Sequence, residues 1–165
     1  MCWELATRVN RELLPLVSQW NSASAASTSV DGSKVVAYCI GIGTPERAVD
    51  FCSEVGFPAS SLLADPTNAC YDKLALRFGI AETFFSFQTP LSMRQRLLDN
   101  GAATLREIMP RWKPWLPPKQ KQALNQGGTF VIKDGKTFLA HYDEATGDHV
   151  DFKKVIHVIE SLQQQ

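Results

Sequence analysis

The sequence predicts an α/β fold, and three observations support that prediction. A nearly continuous apolar run covers residues 35–42, which suits a strand that is covered on both faces of a sheet. A well-marked helix follows at residues 44–56, and a second short apolar run lies within residues 58–66. These segments form a βα unit that leads into a further extended segment. We therefore expect the first strand to lie in the interior of the sheet.

Length and composition indicate a single domain. The chain has 165 residues, of which 44% are hydrophobic, and this is enough for a sizeable core. Its formal net charge is zero. The balanced charge argues against a nucleic-acid partner, and no apolar run approaches the ~20 residues that a membrane span needs. Four cysteines without paired spacing predict no metal site and no disulfide framework, so we expect an intracellular, reducing compartment.

The chain begins with a predicted helix at Cys2–Trp20. Pro15 lies inside it and should kink it or end its regular part. The small, polar segment Asn21–Ser33 is predicted to be a long loop. The helix prediction rests on apolar residues at steps of three and four, namely Leu5, Val9, Leu13, Leu16 and Trp20.

The second helix has the clearest signals. Thr44 can accept a hydrogen bond at its start, Pro45 suits its first turn, and Gly56 suits a left-handed end. Its packed face should include Ala48, Phe51, Cys52 and Val55. Because Cys39 lies on the apolar strand and Cys52 on this face, both are interpreted as buried fillers.

A third helix is predicted after Pro66, with Thr67 or Asn68 as its cap and an end near Gly79. Its shared face would carry Tyr71, Leu74 and Phe78. An insertion at about residues 80–126 follows, and it is locally basic, with two interleaved tryptophans. A solvated basic face is the preferred interpretation, and a surface for an anionic partner is the alternative. The residues concerned are Arg94, Arg96, Arg106, Arg111, Trp112, Lys113, Trp115, Lys119 and Lys121.

The last part of the chain predicts a hairpin and a helix. Two strands flank Asp134-Gly135, which is the strongest short-range hairpin signal. In the closing helix Asp151 is the predicted cap, and Val150 with Val155 forms a hydrophobic staple. The predicted buried stripe is Phe152, Val155, Ile156, Ile159 and Leu162.

With one strand added in front of the first helix, this order of elements is a βαβ unit followed by a ββα unit. That order is the thioredoxin-like arrangement, a central mixed sheet flanked by helices. Without the first core strand, the strands at Val35–Ile42 and Thr129–Lys133 would leave backbone groups unpaired or would have to pair with each other. A sequence that continues upstream of Met1 and a chain that starts at Met1 with an adapted sheet both stay open.

Several segments resemble the peroxiredoxin-like 2 family of AhpC/TSA-type thioredoxin-like proteins, whose members include prostamide/prostaglandin F synthases. The resemblance rests on the opening MCWELA, the segment LLADPTNACYDKLAL, and NQGGTFVIKDGKTFLAHYDEATGD. In that family a strand leads into a Cys-x-x-Cys motif, and Cys2 matches its second cysteine. The first would precede Met1. Gly127-Gly128 replaces the usual cis-proline platform, and the typical peroxiredoxin Thr-x-x-Cys pocket is absent, so a fast bulk peroxide scavenger is not implied.

The resemblance implies thiol chemistry at Cys2, the one catalytic residue that we predict, as the resolving or the sole remaining redox thiol. An inactive residue at a frayed helix end is the alternative for Cys2. A cysteine in the first turn of a helix gains thiolate character, and a thiolate can attack a peroxide or a disulfide. The resemblance implies reduction of a peroxide, endoperoxide or disulfide, recycling by thioredoxin or another thiol reductant, no metal or cofactor, and a location in the cytoplasm or a plastid. Cys70 is a candidate resolving thiol, although a structural role is preferred. His141 is expected to bond the following turn, and His149 and His157 to be structural or solvated.

An alternative function belongs to a different class. The chain would be a degenerate thioredoxin-like interaction domain in which the basic aromatic insertion docks a partner without turnover. A cysteine three residues upstream of Cys2 would favour the enzyme.

Overall fold

In a computed structural model, the described residues form helices and two separate two-stranded sheets. Most of the predicted insertion, including all of its basic residues and tryptophans, lies outside the described residues, as does Cys2. The structure describes residues 3–26, 34–78, 110, 122, 124–144 and 148–164.

The amino-terminal helix is interrupted close to its proline. Helix α1 covers Trp3–Arg8, a π turn covers Val9–Leu13, and helix α2 covers Leu14–Ala26. Pro15 has no amide hydrogen, and its ring crowds the carbonyl four residues before it, so a wider turn relieves the clash. The predicted break in the regular helix near Pro15 is confirmed.

Helix α2 extends beyond its predicted end. The loop predicted for Asn21–Ser33 is wrong for residues 21–26, which are helical, and residues 27–33 lie outside the described part. Alanine is the best helix former, and it recurs in this segment. The Asn21 side chain also donates to the Val35 carbonyl and accepts from the Val35 amide, each at 2.8 Å. A contact 14 residues away thus supports the end of the helix.

Strands β1 (Cys39–Gly41) and β2 (Leu62–Ala64) form a parallel pair, with Cys39 opposite Leu62 and Gly41 opposite Ala64. Helix α3 connects them over Pro45–Val55, followed by a short 3₁₀ turn at Ala59–Ser61. The predicted βα unit and its further extended segment are therefore present.

The signals predicted at the ends of α3 are confirmed. The Arg47 amide donates to the Thr44 hydroxyl at 3.4 Å, and Pro45 lies in the first turn. Gly56 has a φ of 69° and ends the helix in the left-handed conformation. Phe51 and Cys52 are buried on the packed face.

The prediction of an interior strand is wrong for the described residues. Only three residues of the apolar run at Val35–Ile42 form a strand, and Val36 and Tyr38 are 53% and 58% exposed. Within the described part of the chain, β2 is the one neighbour of β1. The run is extended, and no second strand among the described residues pairs with it.

Helix α4 is shorter than predicted and has a different cap. It covers Ala69–Lys73 and ends because Ala75 adopts a left-handed φ of 51°. Neither predicted cap residue accepts a bond from its first amides. The Asp65 carboxylate does so instead, from the Ala69 amide at 3.0 Å and the Cys70 amide at 2.8 Å. Phe78 is 54% exposed and forms an isolated antiparallel bridge with Asn125, so it does not share the helix face.

The predicted hairpin is confirmed. Strand β3 (Gly128–Lys133) pairs antiparallel with β4 (Lys136–Tyr142). Asp134 and Gly135 have φ angles of 50° and 72°, so both adopt the left-handed conformation that a tight two-residue turn needs.

Helix α5 (Phe152–Gln163) closes the described chain, and its Asp151 cap accepts from the Lys153 amide at 3.0 Å. Val150 and Val155 are both buried in the core, as the predicted staple requires. Ile156 and Ile159 of the predicted stripe are partly buried against it. The core joins α1, α3 and α5 through Trp3, Ala6, Val9, Phe51, Cys52, Phe57, Val150, Phe152 and Val155.

Candidate redox site

A cavity of about 1100 Å³ separates the two sheets. We call it the inter-sheet groove. One wall is β1 with the extended segment Lys34–Tyr38 before it, and the other wall is β3. Apolar side chains of the three core helices line it as well, among them Trp3, Phe51, Phe152 and Val155. The groove is concave and is lined mostly by apolar side chains, which makes it a candidate for a functional site.

The first helical residue lies on this groove. Trp3 is 7% exposed, and its ring meets that of Phe51 edge to face, with 5.8 Å between the centroids. Cys2, the predicted catalytic residue, lies outside the described residues. Helix α1 begins directly after it, at Trp3. The position predicted to carry the reactive thiol is therefore adjacent in sequence to a buried residue of the groove.

Two of the other cysteines have the properties of apolar fillers. Burial raises the pKa of the Cys39 thiol to about 11, and burial also raises the pKa of the Cys52 thiol. Because the thiolate is the nucleophile, both groups are poor nucleophiles near neutral pH. The structure thus supports the predicted filler role of both residues.

The surroundings of Cys70 favour a structural role over a resolving role. Its amide and that of Ala69 both donate to the Asp65 carboxylate, which is 7% exposed as a residue. These helix amides are therefore already bonded to a carboxylate and belong to a structural contact.

Tyr71 lies at the polar end of the groove. Its hydroxyl donates to the Ile40 carbonyl at 3.2 Å and so binds the backbone of β1. Burial raises the pKa of Tyr71 to about 12, and the nearby Asp65 and Asp143 carboxylates act in the same direction. Tyr71 therefore stays a neutral hydrogen-bond donor in this part of the groove.

A carboxylate and two imidazoles form the most chemically distinctive cluster of the described residues. His149 Nδ1 lies 3.2 Å from Asp143 Oδ2, and the Asp143 side chain is 6% exposed. His141 Nε2 lies 3.1 Å from the Asp148 carbonyl oxygen and 3.5 Å from Asp143 Oδ1. The bond from His141 to the turn confirms its predicted role. A carboxylate that accepts from one imidazole nitrogen orients the ring and leaves its other nitrogen basic, which is an arrangement suited to proton transfer.

Neither Asp143 nor its pairing with His149 is predicted from the sequence. Asp143 and His149 both line the groove. Gly127 permits the approach of this carboxylate, because a Cβ at Gly127 would lie 2.7 Å from Asp143 Oδ2. The Gly-Gly sequence before a strand, together with an aspartate directly after the paired strand, is the signal that could have identified the cluster.

Metal binding and membrane spanning were both considered for the described residues. No three His, Cys, Asp or Glu side chains in the described ranges are grouped so that they could hold a metal ion. Among the helices that the structure describes, none is long and apolar enough to cross a membrane.

Comparison with protein families gives a match over residues 22–145 to a family described as AhpC/TSA antioxidant enzyme. Comparison with curated proteins and comparison with solved structures each gave no match. The matched range contains both sheets, the Tyr71 region and Asp143, whereas Trp3 and His149 lie outside it.

Proposed function

Because the chain belongs to the AhpC/TSA antioxidant enzyme family, we propose that it is a thiol-dependent oxidoreductase of peroxiredoxin-like type that acts through Cys2. The family has a thioredoxin-like fold, so the predicted family and the predicted α/β fold class are both confirmed. The proposed substrate is a peroxide, an endoperoxide or a disulfide. The proposed electron donor is thioredoxin or another thiol reductant.

One observation carries the assignment to Cys2. Helix α1 begins at Trp3, and Trp3 lines the inter-sheet groove. A thiol directly before this residue would have the first helix amides and the positive end of the helix dipole within reach, and both stabilise a thiolate. The burial that raises the pKa values of Cys39 and Cys52 makes them weaker candidates.

The proposed reaction with a hydroperoxide needs one thiolate and two reductant thiols. The Cys2 thiolate attacks the terminal oxygen, the O–O bond breaks, and the alkoxide takes a proton to leave as an alcohol, while Cys2 becomes a sulfenic acid. A reductant thiol then condenses with the sulfenic acid, releasing water and leaving a mixed disulfide. A second reductant thiol restores Cys2 and leaves as the oxidised reductant.

The Asp143–His149 pair is proposed to assist proton movement in this cycle. The imidazole is oriented by a carboxylate at 3.2 Å and lines the same groove as Trp3. It is suited to take a proton from an incoming thiol or to give one to the leaving alkoxide.

The test is thiol-dependent peroxide reduction by the full chain, with cumene hydroperoxide as substrate and dithiothreitol or thioredoxin as donor. We expect Cys2→Ser to lower the rate by at least about a hundredfold, since the nucleophile is lost. Cys52→Ala is the matched control, because Cys52 is buried in the core away from the groove lining. A Cys2→Ser variant that keeps the full rate would show that the assignment is wrong.

Organisation and location are also proposals. We propose that residues 1–165 form one thioredoxin-like domain with an insertion at about residues 80–126, and that it works in a reducing compartment such as the cytoplasm or a plastid. The three described cysteines, Cys39, Cys52 and Cys70, are all free thiols, which is compatible with such a compartment.

The alternative function, a non-catalytic interaction domain, rests on the basic aromatic insertion. That insertion lies almost wholly outside the described residues, so this alternative stays a prediction. Partner capture that does not change when the charges at Arg111 and Lys113 are reversed would count against it.

A further inference from the structure

We propose that His141 is a positioning residue for the Asp143–His149 pair, and that it holds the Asp143 carboxylate in the orientation that keeps a hydrogen on His149 Nδ1. Its role in turnover rests on the proposed function, in which this pair moves protons. Its effect on the His149 ring does not involve Cys2, so it can be measured without any turnover.

Three contacts join the end of β4 to the residues before α5. His141 Nε2 lies 3.1 Å from the Asp148 carbonyl oxygen. The Glu144 amide donates to Asp148 Oδ2 at 2.9 Å. His149 Nδ1 lies 3.2 Å from Asp143 Oδ2. These contacts fix the positions of the two histidine rings relative to one carboxylate.

The contact with the carbonyl decides which nitrogen of His141 carries a hydrogen. A carbonyl oxygen only accepts, so His141 Nε2 is the donor. The same nitrogen lies 3.5 Å from Asp143 Oδ1 and 4.0 Å from Asp148 Oδ2. Because 3.5 Å is longer than a normal hydrogen bond, the contact with Asp143 is an electrostatic attraction. His141 therefore bonds the Asp148 carbonyl and also attracts one oxygen of the Asp143 carboxylate.

Both oxygens of the Asp143 carboxylate have neighbours that set its orientation. His149 Nδ1 faces Oδ2, and His141 Nε2 faces Oδ1. Gly127 approaches so closely that a Cβ there would lie 2.7 Å from Oδ2. The terminal torsion of an aspartate side chain is intrinsically broad, and the Asp143 side chain is too buried for water to replace a lost neighbour easily. The orientation of this carboxylate therefore depends on its protein neighbours.

The orientation of the carboxylate in turn decides the state of the His149 ring. A neutral imidazole carries one hydrogen, and a carboxylate that faces Nδ1 holds the hydrogen there and leaves Nε2 as the basic nitrogen. If Asp143 turns away, Nδ1 loses its acceptor and the hydrogen can move to Nε2, which then cannot take a proton. Without the donor of His141, Asp143 Oδ1 is free to turn. Fewer His149 rings would then carry their hydrogen on Nδ1.

Nitrogen-15 spectra of the histidine rings measure this effect directly. The chain has three histidines, so single variants assign every ring signal. In the unaltered chain we expect the hydrogen of His149 on Nδ1. In His141→Leu, which has no donor, we expect a mixture of the two tautomers. His141→Gln should restore the Nδ1 form, because its amide nitrogen reaches about as far as Nε2 and can donate to the Asp148 carbonyl.

Turnover gives a second readout, with cumene hydroperoxide as substrate and dithiothreitol as donor. Positioned proton transfer contributes roughly a hundredfold or more to a rate, so we expect His141→Leu to lower kcat by at least about tenfold. KM should change by less than about twofold, since the loss concerns the transition state. His141→Gln should recover most of the rate. His157→Leu is the matched control, because His157 is an exposed histidine within α5.

The proposal is overturned if His141→Leu leaves the His149 ring spectrum unchanged, or if it changes the tautomer without lowering kcat. It is also overturned if His141→Gln behaves like His141→Leu, because the side chain would then act through packing and not through its donor. If His141→Leu does not fold, His141→Asn is measured in its place, since its shorter amide does not reach the Asp148 carbonyl.

Failure of the proposed function is a separate result. A Cys2→Ser variant at the full rate would refute the assignment of Cys2 alone, and the His149 ring spectrum would then decide the role of His141. An unchanged ring spectrum in His141→Leu, together with a large loss of rate in Cys2→Ser, would refute the role of His141 alone.

Discussion

The Asp65 carboxylate offers the sharpest test of how the short helix α4 is held. It accepts from the Ala69 amide at 3.0 Å and from the Cys70 amide at 2.8 Å, and the residue is 7% exposed. Replacing it with alanine would remove both acceptors while the amides stay partly buried. Loss of a helix cap costs about 1 kcal/mol, and an unsatisfied amide costs a further ~1 kcal/mol or more.

We therefore expect Asp65→Ala to lower the free energy of unfolding by about 2–3 kcal/mol. For a chain of this size that loss corresponds to a fall in Tm of roughly 4–12 °C. Asp65→Asn should cost about half as much, because its amide keeps one acceptor oxygen. Urea unfolding measures the free energy, and amide hydrogen exchange at Ala69 and Cys70 reports whether the loss is local.

Asp72→Ala is the matched control, because Asp72 is an exposed carboxylate in the same helix. We expect it to change the free energy of unfolding by no more than about 0.5 kcal/mol. An Asp65→Ala variant with the stability of this control, and with unchanged exchange at Ala69 and Cys70, would refute the cap that the structure shows.

Two further predictions concern stability. Gly128→Ala should lower the free energy of unfolding by about 2–3 kcal/mol, because a Cβ there would lie 2.8 Å from the His141 carbonyl oxygen, which is backbone and cannot move aside. Gly127→Ala should cost less, because its Cβ would meet the Asp143 side chain. Equal losses of the two variants in urea unfolding would contradict this ranking. The pKa of Cys39 is raised from 9.0 to about 11 in the folded protein, so folding favours the neutral thiol and stability should fall as pH rises through 9 towards 11. Cys39→Ala should reduce this loss. If the free energy of unfolding changes equally between pH 8 and pH 10.5 in the variant and in the unaltered chain, burial does not raise the pKa of Cys39.

The sequence by itself determined the elements whose signals are local. Helix α3 is defined by Thr44, Pro45 and Gly56, which act on amides and carbonyls within four residues of themselves. The hairpin is defined by Asp134-Gly135 in the same way, and α5 by the Asp151 cap and its apolar stripe. Such interactions depend on the chain's own periodicity and turn geometry, so they can be identified before any tertiary contact is known.

The tertiary structure alone decided what depends on distant partners. Among the described residues, the strand within the apolar run at Val35–Ile42 pairs along one edge only, because pairing along the other edge needs a strand from elsewhere in the chain. The contact between Asn21 and Val35 likewise joins residues that no local pattern connects. The groove between the sheets likewise depends on which strands pair, and a sequence pattern specifies a strand without specifying its neighbours.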